Sequence, residues 1–207
     1  MKILLTGAFG NVGEHTLIDL SKKDYHIRCF DIKERKTKKV FKSVSKKCSF
    51  ETVWGDIRDK EIVNEIVKDI DCIVHLAAIM PPRSDDEPVY AFEVNVEGTR
   101  NLIEAASKEM KIPKFIFTSS IALYGSRMHV KPPRKVGETP KPIDHDEYAK
   151  HKLAMEEILQ KSPLRWVILR MGAIPSLRMP IKVPPLMYEV PFDQRLEFID
   201  PRDAGLA

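Results

Sequence analysis

Apolar residues along this chain follow two rhythms in turn. Short runs rich in β-branched and aromatic residues (KILLT, YHIRCFD, ETVWG, DCIVHLAA, KFIFTSS and RWVILRMG) read as strands. Between them stand stretches with helical spacing: NVGEHTLIDLSKK, KEIVNEIVKD, AFEVNVEGTRNLIEAASKEM and HDEYAKHKLAMEEILQK. Val96, Thr99, Ile103 and Ala106 share one stripe, and Val12, Leu17 and Leu20 approximate another. Strand and helix in alternation imply a parallel sheet covered on both faces by right-handed crossovers. The fold class expected is therefore α/β, a doubly wound parallel sheet (Rossmann-like) with a short, incomplete C-terminal substrate region. The boundary falls at Gly172, between a domain over 1–172, whose glycine-spaced opening (Gly7, Gly10, Gly13) reads as dinucleotide-binding, and a partial substrate-binding region over 173–207. Pro175, Pro180, Pro184, Pro185 and Pro191 break the latter, which should wrap over the carboxyl edge of the sheet. It ends at RDAGLA in the first turn of a helix, the expected mark of a truncated chain.

Charge changes the picture at one place. The formal balance is +4, yet Lys33 to Lys47 holds eight Lys/Arg against one acid, and the remainder carries 26 basic and 29 acidic residues. The excess belongs to KERKTKKVFKSVSKK, read as a solvated loop and not as a face built for nucleic acid, with a nucleic-acid role the minor alternative. Cys29, Cys48 and Cys72 are odd in number and lie in no metal-ligand spacing; reduced thiols in a cytoplasm are expected, two of them in the core. No apolar stretch approaches eighteen residues, so neither an export signal nor a membrane span is expected.

Gly7, Gly10 and Gly13 stand between the first strand and the first helix. In that place Gly7 makes the tight turn, Gly10 lets backbone approach a pyrophosphate, and Gly13 permits close helix packing. The helix opening at Asn11 and Val12 offers unpaired N–H groups to the phosphates. Asp31 closes the second strand, where a carboxylate accepts hydrogen bonds from an adenosine ribose. That favours NAD; Lys33 and Arg35 keep NADP as the lesser choice. Asp56 and Ile57 follow the third strand and suit the adenine edge, although an Asp there can equally cap the next helix. Tyr148 and Lys152, four apart, share one helix face, where an ammonium can lower a phenol by roughly three units and make it a general base. The six histidines show no metal-ligand spacing, so no metal is expected.

Taken in order, TGAFGNVG, Asp31, GDIRD, HLAA, NVEGT, FTSSIALYG, YAKHK and LRMGA resemble the extended short-chain dehydrogenase/reductase family, also called the NAD-dependent epimerase/dehydratase family. The resemblance covers nearly all of residues 1 to 175. It implies that Ser120, with Ser119 as the rival, hydrogen-bonds the reacting hydroxyl, that Tyr148 is the base, and that Lys152 lowers its pKa and holds the nicotinamide ribose. It implies that Asn95 supports the lysine through ordered water and that Leu76, Ala77 and Ala78 run under the cofactor. Family members also pair through the helices bearing Asn95 and Tyr148, so a homodimer is expected.

The implied chemistry takes a proton from a carbinol at Tyr148 while its hydride moves to the nicotinamide. An epimerase returns the hydride to the other face; a dehydrogenase releases the ketone. Dehydratases of the family carry an Asp-Glu pair after the active-site Ser/Thr, where this chain has Ile121 and Ala122. A nucleotide sugar is the expected substrate, with Arg178 and Lys182 as candidates for the diphosphate. Only 32 residues separate Arg170 from Asp203, however, and this short segment leaves open a dehydrogenase or reductase of a smaller alcohol or ketone. A non-catalytic NAD(P)-binding sensor is the third reading.

Overall fold

A computed structural model of the protein describes residues 1–126, 137–176 and 197–207. At its centre is β1 (Lys2–Thr6), with β2 (His26–Asp31) and β3 (Glu51–Trp54) to one side and β4 (Cys72–His75), β5 (Lys114–Ser120) and β6 (Arg165–Met171) to the other. All neighbours in the order β3-β2-β1-β4-β5-β6 are parallel. The connection reverses direction across the sheet between β1 and β4, which opens a crevice at their carboxyl ends.

Alternation along the strands builds two cores. Ile3, Leu5, Ile27 and Cys29 point to the face covered by α1 (Asn11–Leu20) and α2 (Arg35–Val44). Leu4, Phe30, Phe115 and Phe117 point to the opposite face, under α3 (Lys60–Ile66), α6 (Gly98–Ser107) and α7 (Glu147–Gln160). Burial on both faces is why these strands read as nearly unbroken apolar runs. The stripe of Val96, Thr99, Ile103 and Ala106 is buried as expected, as are Cys29 and Cys72.

The basic segment is not a loop. Arg35–Val44 forms α2, closed at its start by a reciprocal cap in which the Glu34 backbone N–H donates to Thr37 Oγ1 at 3.0 Å and the Glu34 side chain takes the Thr37 N–H. Val40, Phe41 and Val44 pack toward the sheet, and Phe41 meets Phe9, Phe50 and Trp54 at centroid distances of 5.5, 6.0 and 5.5 Å. The eight cations all face solvent. Apolar burial at i, i+1 and i+4 outweighs the repulsion of exposed, screened charges.

Beyond β4 come α4 (Arg83–Asp86) and α5 (Pro88–Phe92), after which a π-type turn at Glu93–Glu97 leads into α6. A 3-10 turn (Ile121–Tyr124) follows β5 directly. Past β6, Ala173 bridges to Phe198, and α8 (Pro201–Leu206) lies on α1, with Gly205 against Thr16 and His15. Among the described residues β6 forms one rim of the sheet, with Trp166 and Val167 41% and 51% exposed. No helix among the described residues is long and apolar enough to cross a membrane.

Candidate cofactor and proton-transfer site

The glycine turn closes on itself and on β4. Gly7 has φ +65°, and a Cβ there would stand 2.7 Å from the Ala77 nitrogen. A Cβ on Gly13 would stand 2.1 Å from the Gly7 carbonyl oxygen. A side chain fits at neither position, so the turn packs backbone to backbone against the end of β4 and the start of α1. Gly10 donates to the Gly7 carbonyl at 3.0 Å and precedes α1, whose first N–H groups, at Asn11 and Val12, stay free of helical partners. Asn11 Nδ2 reaches the Ile174 carbonyl at 3.2 Å, bringing the segment after β6 to the same edge.

Asp31 sits at the end of β2, next to that turn. Its two oxygens accept from the backbone N–H groups of Phe9 and Ile32, each at 2.8 Å. Burial still outweighs those bonds and pushes its carboxyl up to about 6. Lys33 and Arg35 lie exposed just beyond. Asp56 carries a forked ion pair with Arg58, Nη2 to Oδ2 at 2.7 Å, which holds its carboxyl below the usual range. The alternative task of capping α3 falls to Asp59, whose side chain accepts from the N–H groups of Glu61 and Ile62. Ile57 is buried against Gly98.

Leu76, Ala77 and Ala78 leave β4 beneath the turn, with the Leu76 N–H on the Thr6 carbonyl at 3.2 Å. A directed chain of hydrogen bonds fixes their position. Thr99 Oγ1 donates to the Asn95 carbonyl at 2.5 Å, so it accepts from His75 Nε2 at 2.9 Å; His75 Nδ1 then accepts from Thr6 Oγ1 at 2.7 Å. Thr6 Oγ1 in turn takes the Ala77 N–H at 3.4 Å. His75 is thus a neutral imidazole with its proton on Nε2, and burial keeps its pKa down to about 3.

Asn95 is buried in the π-type turn. Its amide clasps Ile79, accepting from the backbone N–H at 2.7 Å and donating to the carbonyl at 2.9 Å, and Nδ2 lies 3.3 Å from His151 Nδ1. Ser120 accepts from the Ala122 N–H at 3.1 Å, which occupies a lone pair and leaves its own O–H available to donate. Ser119 is buried, and its hydroxyl is the one buried side-chain polar atom among the described residues with no partner.

Tyr148 and Lys152 lie one turn apart on α7, as their spacing requires. The electrostatics depart from the expected depressed phenol. Lys152 Nζ donates to the Thr118 carbonyl at 2.7 Å and stands 4.7 Å from the Phe117 ring centroid and 5.7 Å from that of Tyr148. Burial pulls the ammonium down to about 7, while burial and Asp146 push the phenol up to about 12. At the phenol, burial prevails over the neighbouring ammonium.

Sequence reasoning missed the next turn of the same helix. Glu156 is buried and holds Arg170 of β6 through two bonds, at 3.0 and 2.7 Å, and Arg170 Nη1 reaches the Tyr124 hydroxyl at 2.5 Å. The trio ties α7, β6 and the turn after Ser120 together. A charged residue inside the apolar run WVILRMG, with a glutamate four beyond Lys152, was the available signal. Arg178 and Lys182 lie outside the described residues.

The model of the NAD dependent epimerase/dehydratase family matches residues 3–176. The chain is 31% identical over 160 residues to the N-acetyl-alpha-D-glucosaminyl-diphospho-ditrans,octacis-undecaprenol 4-epimerase of Escherichia coli O157:H7, covering 77% of this chain and 43% of that protein. The UDP-Glc/GlcNAc 4-epimerase from Campylobacter jejuni superposes with TM-score 0.75 at 29% identity, over 84% of this chain and 54% of the other. The UDP-N-acetylglucosamine 4-epimerase from Methanobrevibacter ruminantium M1 gives TM-score 0.82 over 99% and 70%, at 23% identity, a likeness of fold. The chain spans about half the length of most of the curated relatives it matches.

Proposed function

Because the chain belongs to the NAD-dependent epimerase/dehydratase family, we propose that it carries the dinucleotide-binding and proton-transfer half of an enzyme that epimerises a nucleotide sugar at a carbinol carbon. The observation that carries this reading is the glycine turn, closed by backbone contacts at Gly7 and Gly13, on the same carboxyl edge as Tyr148 and Lys152.

Along that edge Asp31 would hold the adenosine ribose of NAD, Asp56 and Ile57 its adenine, and the backbone of Gly10, Asn11 and Val12 its pyrophosphate. Leu76, Ala77 and Ala78 form the floor. When bound, NAD supplies the hydride acceptor and a positive charge near α7. Ser120 donates its free O–H to the substrate oxygen, and Tyr148 takes the carbinol proton. Lys152 binds the nicotinamide ribose and, with that added charge, stabilises phenolate. Asn95 acts as a positioning residue by fixing the backbone at Ile79. Residues 173–207 supply part of the substrate region. Pairing of two copies through α5–α6 and α7 is supported by the exposed Val89 and Phe92, and the free thiols fit a cytoplasmic setting.

The test is incubation of the full chain with NAD and UDP-sugars. Interconversion of 4-epimers without net NADH supports an epimerase, and stoichiometric NADH with a small alcohol replaces it with a dehydrogenase. NAD binding with no turnover of either class leaves a sensor. Tyr148→Phe should abolish turnover with NAD affinity nearly unchanged; retained turnover removes Tyr148 from the mechanism.

A further inference from the structure

A strap of side chains crosses the adenosine end of the crevice, and its role rests on the dinucleotide reading above. β4 neighbours β1, β1 neighbours β2, and β2 neighbours β3. Arg83, in α4 beyond β4, nevertheless reaches Glu34, beyond β2, at 3.7 Å. That contact spans the carboxyl end of β1, where Gly7 turns. Tyr90 of α5 extends the strap to β3: its ring centroid lies 4.7 Å from the Arg83 guanidinium and 4.8 Å from that of Arg58. Arg58 in turn grips Asp56 and, at 2.7 Å, Glu93. Groups from four segments thus join the β4 side of the crevice to the Asp31 and Asp56 side.

We propose that Arg83 and Tyr90, with Arg58, form a clasp over the adenosine half of the bound dinucleotide and set the rate at which the cofactor leaves. The materials of the strap suit a part that opens. Each of its ion pairs is partly exposed, in contrast to the buried Glu156–Arg170 pair, so each is individually weak and screened by salt. Guanidinium planes that stack on Tyr90 stack equally well on an adenine. The clasp ties no core elements together, so its loss changes cofactor retention without unfolding the sheet.

The experiment loads the full chain with NAD and follows release by stopped-flow displacement. Arg83→Ala removes the contacts to Glu34, Glu87 and Tyr90 and should speed release on the order of 10-fold. Tyr90→Ala should act in the same direction, and ADP-ribose should show the same acceleration as NAD. Release from the unsubstituted protein should quicken as potassium chloride rises from about 50 to 500 mM, and Arg83→Ala should flatten that dependence. Unchanged release in both variants overturns the clasp, as does acceleration for NAD alone, which places the effect at the nicotinamide end. Failure of the unsubstituted chain to bind either dinucleotide overturns the cofactor reading first, and the clasp with it.

Discussion

Replacing Asp31 with Asn should make the protein's stability less dependent on pH, and the structure gives the size. Burial raises the Asp31 carboxyl from 3.8 to about 6. Between those values the unfolded chain has released the proton and the folded chain keeps it, so rising pH favours unfolding. The full term is about 3 kcal/mol, of which roughly 2 falls between pH 4.5 and 7.5. In the variant the amide carbonyl still accepts from Phe9 or Ile32 but not both, at a cost of about 1–3 kcal/mol that is the same at every pH. The difference between variant and parent therefore isolates the ionisation. Urea unfolding of both proteins at the two pH values measures it. The variant should gain about 2 kcal/mol relative to the parent as pH rises. A difference that stays constant, or runs the other way, refutes the claim that a desolvated carboxylate is held here against its preference. Such a carboxylate is under-bonded when ionised, which is what a ribose diol would relieve.

The same reasoning predicts that NAD binding near pH 6 releases about half a proton, detectable by calorimetry in buffers of different ionisation enthalpy. Gly13→Ala, whose methyl would meet the Gly7 carbonyl, should lose NAD binding in a fluorescence titration and lower the melting temperature. Glu156→Gln removes the buried carboxylate that makes two bonds to Arg170 and should cost about 1–3 kcal/mol by chemical denaturation, against about 1 for Tyr124→Phe. Imidazole nitrogen shifts of His75 should report the neutral Nε2–H form from pH 5 to 9; an imidazolium at pH 6 would contradict the threonine chain.

The sequence displayed what is local. Gly7, Gly10, Gly13 and Asp31 answer to one turn and one strand end, and the i, i+4 spacing of Tyr148 and Lys152 survives folding because a helix preserves it. Helix α2 is hidden in the sequence by its charge: five cations surround Val40, Phe41 and Val44, and its cap has Glu before Thr, the reverse of the usual order. Long-range partners were invisible for a different reason. Nothing near Lys152 in sequence announces that Thr118, on another element, takes its ammonium, and the burial that pushes the Tyr148 phenol up is likewise set by the packing of α7 on the sheet. The hold of Asn95 on Ile79 joins residues 16 apart in the chain, a contact that no local pattern announces.

The rim strand β6 has a practical consequence. Among the described residues one of its edges has no strand beside it, and the indole of Trp166 and the isopropyl group of Val167 stand out from it. A strand of that composition is a template for edge-to-edge stacking between molecules. Preparations of this stretch should turn cloudy as they are concentrated, and a lysine at position 167 should keep them clear.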